Sequence, residues 1–547
     1  MKNMNLKRTL CAAIAVVLCI GAAGGCAKKN GNGTENKANL TANGEFPISK
    51  EPVTLSFMTS TSAYVEDLPT NEFTKYYEEK TNVKIDWQMI SGDMNQKLNV
   101  IVASGNYPDV FLQCTIKKPA QMQYGRDGVI IPLNDLIENN TKWIKEFLEK
   151  EEYAKKQFTS PDGNIYGLGG YNSTYHALSG NKMWVYEPWL KKSGIGEINT
   201  TEDFKKFLIA VRDGDFNDNG KKDEIPLLGL GVRGTIKFIM NAFVPMDDYE
   251  DFEFYVENGK VKYSPSQEGF KEGLKYIQDL YNEGLLAKDS FVIDRQQRTA
   301  TVENPDYPLV ACCPALWYGQ FSVNNGGTGR YADFTTIAPL EGPSGRRKLS
   351  TRTPLVDGQG FSISTSCSNP EAAIRWLDWF YSVDGAISAS NGEEGKYWRK
   401  ATESELNIKG EPAYYTKLSE ISFGETQNKF WMNNVPSYIP AELEFGATDT
   451  GDSTSEQNKR LVKESDKYAP YLEDVTLPDM FYDDEVADEY SSLKATIYDT
   501  TYQLVADMIL NGKDIEEQWD GYIAKLNAMG LERYIQIQQE TYDKNYK

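Results

Sequence analysis

The sequence predicts an α/β protein whose sheets are built from consecutive strand-helix units. Near the amino terminus, strand-like and helix-like patterns alternate in the order β-α-β-α-β, which is typical of a parallel sheet with helices on its faces. Further helical patterns follow at 200–211, 267–285 and 370–381. From Glu485 onward the pattern is almost wholly helical, ending with a helix over 531–542.

The first five elements are predicted in order. Residues 53–57 (VTLSF) alternate between apolar and polar side chains, which indicates a strand. Residues 71–80 place Phe73, Tyr76 and Tyr77 on one helical face. A second alternating strand covers 83–87, a helix carries Leu98, Ile101 and Val102 on one face, and the apolar run at 110–112 predicts a third strand.

Ligands of parallel sheets lie beyond the carboxyl ends of the strands. This rule indicates Thr59 and Ser60, which end or follow the first strand, and Gln113, which follows the third. Their hydroxyl and amide groups are candidates for hydrogen bonding to a polar ligand.

The amino terminus predicts export. Three basic residues precede an apolar run at 10–23 that is shorter than a membrane-spanning helix. Small residues then precede Cys26, and this box resembles that of bacterial lipoproteins, although Ala23 stands where leucine is commonest. We therefore expect a signal peptide at 1–25 and lipidation (palmitate) of Cys26; an ordinary signal peptide is the alternative. Residues 26–48 predict a flexible tether.

Length and charge restrict the function classes. The 547-residue chain leaves room for two to four domains after the signal segment is removed. Its net charge of −21 becomes about −24 without the three basic residues of that segment. Such a charge disfavours nucleic acid as a partner. The spacing of Cys114, Cys312, Cys313 and Cys367 matches neither a zinc site nor a disulfide framework, so buried thiols are expected, with a disulfide left open.

Seven short segments occur together along the mature chain and carry a resemblance. They are ASGNYPDV at 103–110, IPLNDL at 131–136, DGNIYGL at 162–168, LYNEGL at 280–285, PLEGPSG at 339–345, NPEAA at 369–373 and EGKYW at 394–398. In this order they resemble the carbohydrate-type extracellular solute-binding proteins of ABC importers (family 1), and best the long lipoprotein branch with the alginate-binding proteins.

The resemblance implies a two-lobed, periplasmic-binding-protein-like fold of type II. Each lobe would be a mixed sheet flanked by helices, with the ligand in the cleft between the lobes. We expect one lobe at 49–168 plus 346–400 and the other at 169–345 plus 401–547. The chain would bind an oligosaccharide, expected to be neutral, and deliver it to an ABC permease as a monomer, without catalysis.

An acidic loop predicts a cation site. Asp215, Asn217 and Asn219 place oxygens at alternate positions before Gly220, which permits a turn at positive φ. The loop departs from an EF-hand because Pro226 stands where the last glutamate belongs. The resemblance implies closure of the loop by side chains of Asp223 and Glu224 with the carbonyl of Lys221, holding structural Ca²⁺. The alternative is a solvated turn whose side chains bond their own backbone.

Aromatic side chains are the expected platforms for sugar rings, since C–H faces of sugars stack on them. Residues that follow strands or turns are favoured, although most aromatics in a chain of this size lie in a core. The candidates are Trp317, Trp398, Tyr171, Tyr175 and Trp431. His176, in the same loop as Tyr175, is expected to be a structural group, and a ligand contact is the alternative.

Three other functions stay open. A peptide or other organic solute could replace the sugar in a protein of the same kind. A secreted glycoside hydrolase would need two carboxylates across a cleft, and the 79 acidic residues leave such a pair open. A surface adhesin would bind polymer without closing two lobes. The single histidine excludes a His-Glu-x-x-His zinc site, and neither a Gly-x-Ser-x-Gly elbow nor a Walker loop is present.

Overall fold

The structure is a computed structural model. It describes residues 38–546 except for 63, 247–252, 324–326, 351–354, 357–359, 420, 422–425, 433, 474–476 and 478–479. The predicted signal segment 1–25 and the predicted lipidation residue Cys26 lie outside the described residues. The tether was predicted to extend to residue 48, but the backbone N–H of Ala38 donates to Asn369 Oδ1 (2.9 Å) and Ile48 is buried.

Strands occur along most of the described chain. They are β1 Val53–Ser60, β2 Val83–Ile90, β3 Val110–Leu112, β4 Tyr171–Asn172, β5 Lys182–Tyr186, β6 Ile225–Leu227, β7 Phe254–Glu257, β8 Lys260–Tyr263, β9 Val310–Ala315, β10 Phe334–Ile337, β11 Leu355–Val356, β12 Phe361–Ile363, β13 Trp398–Lys400, β14 Tyr415–Lys417 and β15 Tyr438–Ile439.

Helices cover the sheets and dominate the carboxyl-terminal part. They are α1 Glu72–Thr81, α2 Met94–Ser104, α3 Lys118–Arg126, α4 Asn134–Asn140, α5 Trp143–Lys150, α6 Glu152–Phe158, α7 Glu187–Ser193, α8 Thr201–Asp213, α9 Gly231–Met240, α10 Glu268–Asn282, α11 Arg295–Val302, α12 Pro370–Asp378, α13 Val383–Asn391, α14 Ala441–Glu444, α15 Ser453–Asp466, α16 Asp484–Leu510, α17 Ile515–Ala528 and α18 Leu531–Tyr546.

The first lobe is built on a four-stranded sheet in the order β12-β3-β1-β2. The predicted β-α-β-α-β order is confirmed, because β1 pairs in parallel with both β2 and β3. The late strand β12 joins antiparallel to β3, which makes the sheet mixed. The Asp109 carboxylate accepts hydrogen bonds from the backbone N–H (2.7 Å) and hydroxyl (2.8 Å) of Ser56, so it ties β1 to the start of β3.

The second lobe contains a mixed sheet in the order β10-β5-β9-β6. Strand β9 carries Cys312 and Cys313 and is buried along its whole length. The expected free thiols are confirmed for Cys114, Cys312 and Cys313, which are buried, while Cys367 is half-buried. Burial raises the pKa of the Cys313 thiol to about 12, which disfavours the reactive thiolate at neutral pH.

Two large cores are separate in the described residues. One packs between Ile48 and Tyr438 around the first sheet, and the other packs between Met183 and Ile537 around the second. The lobe bounds given by the sequence stay a prediction. Phe430, Trp431 and Tyr438 pack in the first core, although those bounds assign 401–547 to the second lobe.

Three short strands join the lobes in a small sheet of order β11-β4-β15, which we call the hinge sheet. Strand β4 pairs antiparallel with β11 and parallel with β15. Each of the three lies between a segment of the first lobe and a segment of the second. The lobe bounds expected from the sequence imply crossings after residues 168, 345 and 400. Strands β4 and β11 lie near the first two, whereas the third crossing is at Tyr438–Ile439 and not near residue 400.

Candidate ligand-binding cleft

The sheet edge of the first lobe that meets the hinge carries the ends of β1 and β3. Leu168, just before β4, forms a bridge with Phe361, and Phe361 pairs with Leu112 at the end of β3. Because β1 runs parallel to β3, Ser60 lies at the same edge. The predicted strand-end positions therefore lie beside the hinge sheet.

The second lobe presents a matching edge. The chain enters β5 at Lys182, ten residues after β4, and Lys182 pairs with Ala315 at the end of β9. The Lys182 Nζ donates to the carbonyls of His176 (2.6 Å) and Ser179 (2.6 Å) and lies 3.5 Å from that of Leu316. The residues after β9, including Trp317, therefore lie at the hinge side of the second lobe.

Polar groups at the first edge differ in exposure. Thr59 is buried inside the sheet, whereas Ser60 and Gln113 are half-exposed. Gln113 adopts a positive φ of 53° and its N–H donates to Gly360 O at 2.7 Å. A Cβ on Gly360 would lie 3.5 Å from Gln113 Oε1, so the amide lies directly above this glycine. Ser60 and Gln113 are therefore accessible to a ligand, whereas Thr59, buried in the sheet, can only support their positions.

Trp317 is the predicted aromatic residue that best fits a platform. It is half-exposed, and its ring lies so close over Gly319 that a Cβ there would stand 2.3 Å from the indole. Its neighbour Tyr318 is fully buried and stacks on Tyr331 with ring centroids 5.3 Å apart. The loop thus leaves one indole partly exposed, packed against the second core, and buries the adjacent phenol.

Two of the predicted tryptophans are buried in the protein core. Trp398 is fully buried against Ile387 and Tyr415, and its indole N–H donates to Gly392 O at 3.0 Å. Trp431 is 1% exposed, donates to Thr74 Oγ1 at 2.8 Å, and packs in the first core. Both side chains have their contacts within the fold, so we do not retain them in the sugar site.

The two predicted tyrosines belong to the hinge region. Tyr171 is buried in β4 between Phe147 (ring centroids 5.7 Å apart) and Tyr438 (5.5 Å). The half-buried Tyr175 donates its phenol O–H to Asp466 Oδ1 at 2.7 Å, and burial raises the pKa of Tyr175 to about 12. His176 Nδ1 lies 3.4 Å from Glu444 Oε1. These residues link β4 to helices α14 and α15.

The lobes also meet on a second side. Lys118, at the start of α3, donates from Nζ to Gln157 Oε1 at 2.6 Å and lies 4.9 Å from the centroid of the Phe481 ring. The neighbours Met480 and Tyr482 belong to the second core. A first-lobe cation therefore contacts a second-lobe aromatic ring, in addition to the connection through the hinge sheet.

The acidic loop is closed by its own side chains. Asp215 accepts from the backbone N–H groups of Asn219 (3.1 Å) and Gly220 (2.9 Å), with Gly220 at φ 80°. The Asn217 and Asn219 amides donate to Asp223 at 3.0 and 3.1 Å. Hydrogen bonds from these two amides are the main cause that lowers the pKa of Asp223.

Glu224 supports the predicted cation site. Its Oε1 accepts from Asn217 N–H (2.9 Å), while the buried Oε2 has no hydrogen-bond partner in the described part of the chain. The Lys221 backbone N–H donates to Asn219 Oδ1. No cluster of three or more acidic, histidine or cysteine side chains suited to a metal occurs in the described residues. The expected set, however, includes amide and carbonyl oxygens, and an unpaired buried carboxylate oxygen fits a cation.

Some residues of the cleft were not found from the sequence. Lys182 and Arg298 are buried cations that hold backbone carbonyls at the second edge. A lone lysine or arginine carries no pattern that distinguishes it from a surface residue. The sequence signal for Lys182 was its position as the first residue of an apolar strand, which indicates a buried lysine.

Within the part of the chain that the structure describes, none of the helices combines the length and the apolar character that a membrane span requires.

A family model described as bacterial extracellular solute-binding protein matches residues 58–387. The fructooligosaccharide ABC transporter substrate-binding protein FusA of Streptococcus pneumoniae serotype 4 (strain ATCC BAA-334 / TIGR4) is 28% identical over 556 aligned residues, covering 99% of each chain.

Solved structures agree with this similarity. A FusA EF-hand mutant from S. pneumoniae in complex with fructo-nystose matches with a TM-score of 0.75 and 25% identity, over 90% of this chain and 99% of that one. The alginate-binding protein AlgQ2 without calcium ion matches with a TM-score of 0.67 and 21% identity, over 90% and 99% of the two chains. The two-lobed fold is therefore confirmed.

Proposed function

Because the chain belongs to the bacterial extracellular solute-binding proteins, by a family match that spans residues 58–387, we propose that it is the oligosaccharide-binding component of an ABC importer. It captures a neutral oligosaccharide between its lobes and presents the closed form to a permease. The name of the relative FusA, and the fructo-nystose in its mutant complex, make fructooligosaccharides the first ligands to test.

The observation that carries this proposal is the placement of two sheet edges around one hinge sheet. Ser60 ends β1 and Gln113 follows β3 at one edge, and Trp317 follows β9 at the other, while β4, β11 and β15 connect the lobes. A half-exposed indole can stack on a sugar ring, and a hydroxyl and an amide can bond its hydroxyl groups. Rotation about short crossing strands would close the lobes on such a ligand.

The proposed sugar site consists of Trp317, Ser60 and Gln113, supported by Thr59. Tyr171 and Tyr175 act on the hinge rather than on the ligand. The Tyr171 ring packs against Tyr438 of the hinge sheet, and the Tyr175 hydroxyl donates to Asp466 of α15. Binding and release without chemistry is the proposed activity, so the bound sugar leaves unchanged. The neutral preference rests on the strongly negative net charge of the chain.

We place Ca²⁺ in the acidic loop as a structural ion. Asp215, Asn217, Asn219, Asp223 and Glu224 would supply side-chain oxygens, and Lys221 its carbonyl. Such hard oxygen ligands match Ca²⁺. The unpaired Glu224 Oε2 supports this, and the EF-hand of the relative FusA is a parallel. The ion would hold the turn between α8 and β6.

The chain would act as a monomer on the outer face of the cell membrane, held by a lipid on Cys26 after removal of residues 1–25. The supporting observations are the lipoprotein-like box in the sequence and the extracellular nature of the family. Metabolic labelling with a radioactive fatty acid, compared between the wild type and Cys26→Ser, tests the anchor. Equal labelling of both proteins would contradict it.

The function is tested by calorimetry of purified residues 27–547 with nystose, maltotriose, alginate trimer and a tripeptide. We expect saturable binding of a neutral oligosaccharide, one per chain. Chromatography of the recovered ligand then separates a receptor from a glycoside hydrolase, since only a hydrolase releases shorter sugars. Binding of the peptide alone, or turnover of the sugar, would overturn the proposal.

A further inference from the structure

The loop that carries Trp317 is held unusually firmly at its backbone. Trp317 O accepts from Gln320 N–H (3.1 Å), and Leu316 N–H donates to Gln320 Oε1 (2.9 Å). The indole lies flat against Gly319, where a Cβ would stand 2.3 Å from the ring. The loop is therefore a tight turn whose side-chain direction depends on where its backbone carbonyls point.

Two arginines of α11 hold those carbonyls. Arg298 donates from Nη1 to Pro314 O and from Nη2 to Gln320 O, both at 3.1 Å, so one guanidinium spans the two ends of the turn. Arg295 donates from Nη2 to Gly319 O at 3.0 Å. Arginine suits this task because its planar fork places its donors in a rigid arrangement, whereas the ammonium of a lysine is a single compact charge on a flexible stem.

The start of helix α11 and its residue spacing determine which way these two arginine side chains point. Asp294 caps α11 and forms a capping box with Gln297, so the helix begins at Arg295. Residues three apart share a helix face, which places Arg295 and Arg298 side by side toward the loop. The buried Val302 anchors the same face to the second core.

Burying the charged Arg298 guanidinium costs free energy, which a merely structural role would not justify. It is 1% exposed, its Nε has no partner, and no carboxylate pairs with it in the described part of the chain. Burial accordingly lowers its pKa. Carbonyl dipoles and the Phe321 ring, 6.0 Å from the guanidinium carbon, are what stabilise the charge. A buried charge kept without an ion pair points to a demand on the backbone it holds.

We propose that Arg298 is the positioning residue of the sugar platform: it fixes the 314–320 turn so that the Trp317 indole is preorganised before ligand arrives. This rests on the proposed function, because it takes Trp317 as the stacking residue. Preorganisation raises affinity by removing the ordering cost of binding. Arg295 adds to it at the exposed end of the turn.

The first test is a double-mutant cycle in calorimetry, with nystose as the probe. Arg298→Lys keeps the charge but loses the two-armed hold, and we expect its dissociation constant to rise about tenfold. In the Trp317→Ala background the same change should have almost no further effect, because nothing is left to position. Arg295→Ala, an exposed substitution that does not threaten folding, should weaken binding about threefold.

The second test needs no ligand. In protein labelled with 5-fluorotryptophan, the ¹⁹F resonance of Trp317 is assigned by its loss in Trp317→Phe. Arg298→Lys should broaden or shift that one resonance while leaving the others in place. Arg233→Lys is the control, since Arg233 is a half-buried arginine paired with the buried Glu253 elsewhere in the second lobe. This change should lower the melting temperature without moving the Trp317 signal.

The outcomes separate the two proposals. If wild type binds no oligosaccharide, the proposed function fails, whatever Arg298 does. If wild type binds and Arg298→Lys binds equally well, or loses affinity additively with Trp317→Ala, positioning by Arg298 is wrong. An unchanged Trp317 resonance in a folded Arg298→Lys protein would contradict it independently.

Discussion

Lys118 of the first lobe lies 4.9 Å from the ring centroid of Phe481, which is flanked by second-lobe core residues, so a cation–π contact joins the lobes in addition to the hinge sheet. Such a contact exists only while the lobes are close together. Its free energy therefore adds to the stability of the closed form and not to that of an open form.

We expect Phe481→Ala to weaken oligosaccharide binding about three- to tenfold, because the closed population falls when this contact is removed. Calorimetry measures the affinity, and small-angle scattering measures the compactness of the ligand-free protein. The control is Trp143→Ala, which removes a ring near Lys142 within the first lobe. Equal affinity of Phe481→Ala and wild type would show that this contact plays no part in closure.

Removal of the cation should destabilise the second lobe. With Ca²⁺ at 100 times its dissociation constant, linkage gives about 2.7 kcal/mol of stabilisation, which EDTA would remove. The measurement is thermal unfolding with Ca²⁺ and with EDTA, followed by calorimetric titration of Ca²⁺. Glu224→Gln should abolish the difference.

Asp218→Asn is the control for that experiment. Asp218 lies within the same loop at φ 57° but its carboxylate pairs with Lys192 (2.7 Å), outside the proposed oxygen set. This variant should keep the response to EDTA. An identical melting temperature with and without EDTA in the wild type would count against the site.

Loss of the indole at 317 should cost the most affinity. We expect Trp317→Ala to raise the dissociation constant for the bound oligosaccharide about 10- to 100-fold, or roughly 1.4–2.8 kcal/mol. The melting temperature without ligand should change little, since the ring is half-exposed. A Trp317→Ala protein with wild-type affinity would remove this residue from the site.

Asp378 predicts a pH dependence of stability. It accepts from the backbone N–H groups of Lys142 (2.9 Å) and Ile144 (2.8 Å), where it caps α5 from another helix. Burial raises the pKa of its carboxyl to about 6, despite these donors. The folded state therefore binds the proton more tightly than the unfolded state, whose aspartate pKa is about 3.9.

The direction of this pH dependence of stability follows from the linkage between proton binding and folding. The stabilisation by protonated Asp378 is present in full below about pH 4 and is lost as the pH rises through about 6, an effect on the order of 1–3 kcal/mol. Urea unfolding between pH 4 and 7 should show this slope in the wild type and in Asp135→Asn, an exposed control. Asp378→Asn should lack it; parallel curves for all three proteins would contradict the assignment.

The elements of the fold with long, regular patterns could be predicted from the sequence. Helix α8 shows why: its buried stripe of Phe204, Phe207, Leu208 and Val211 is periodic, and Thr200 caps it. The hinge strand β15 could not be found, because two residues carry no periodicity. The burial of the candidates Trp398 and Trp431 could not be predicted either, since a position after a turn does not reveal which core a ring enters.

The candidate site was predictable only where position in a strand determined exposure. Ser60 and Gln113 follow from the parallel order of β1 and β3. The platform at Trp317 follows from the end of β9, but the arginines behind it depend on how α11 packs against the turn. Such packing brings together residues about twenty positions apart, and no local pattern encodes it.

The interleaved route of the chain has a consequence for biosynthesis. The first sheet lacks its edge strand until residues 361–363 have been made, and its core needs Trp431 and Tyr438. The second core needs α15 to α18 at the far carboxyl end. Neither half can be completed early by a growing polypeptide, and contacts so distant in sequence form slowly. The native cores of a chain with this topology can therefore be completed only after nearly all of it has been made.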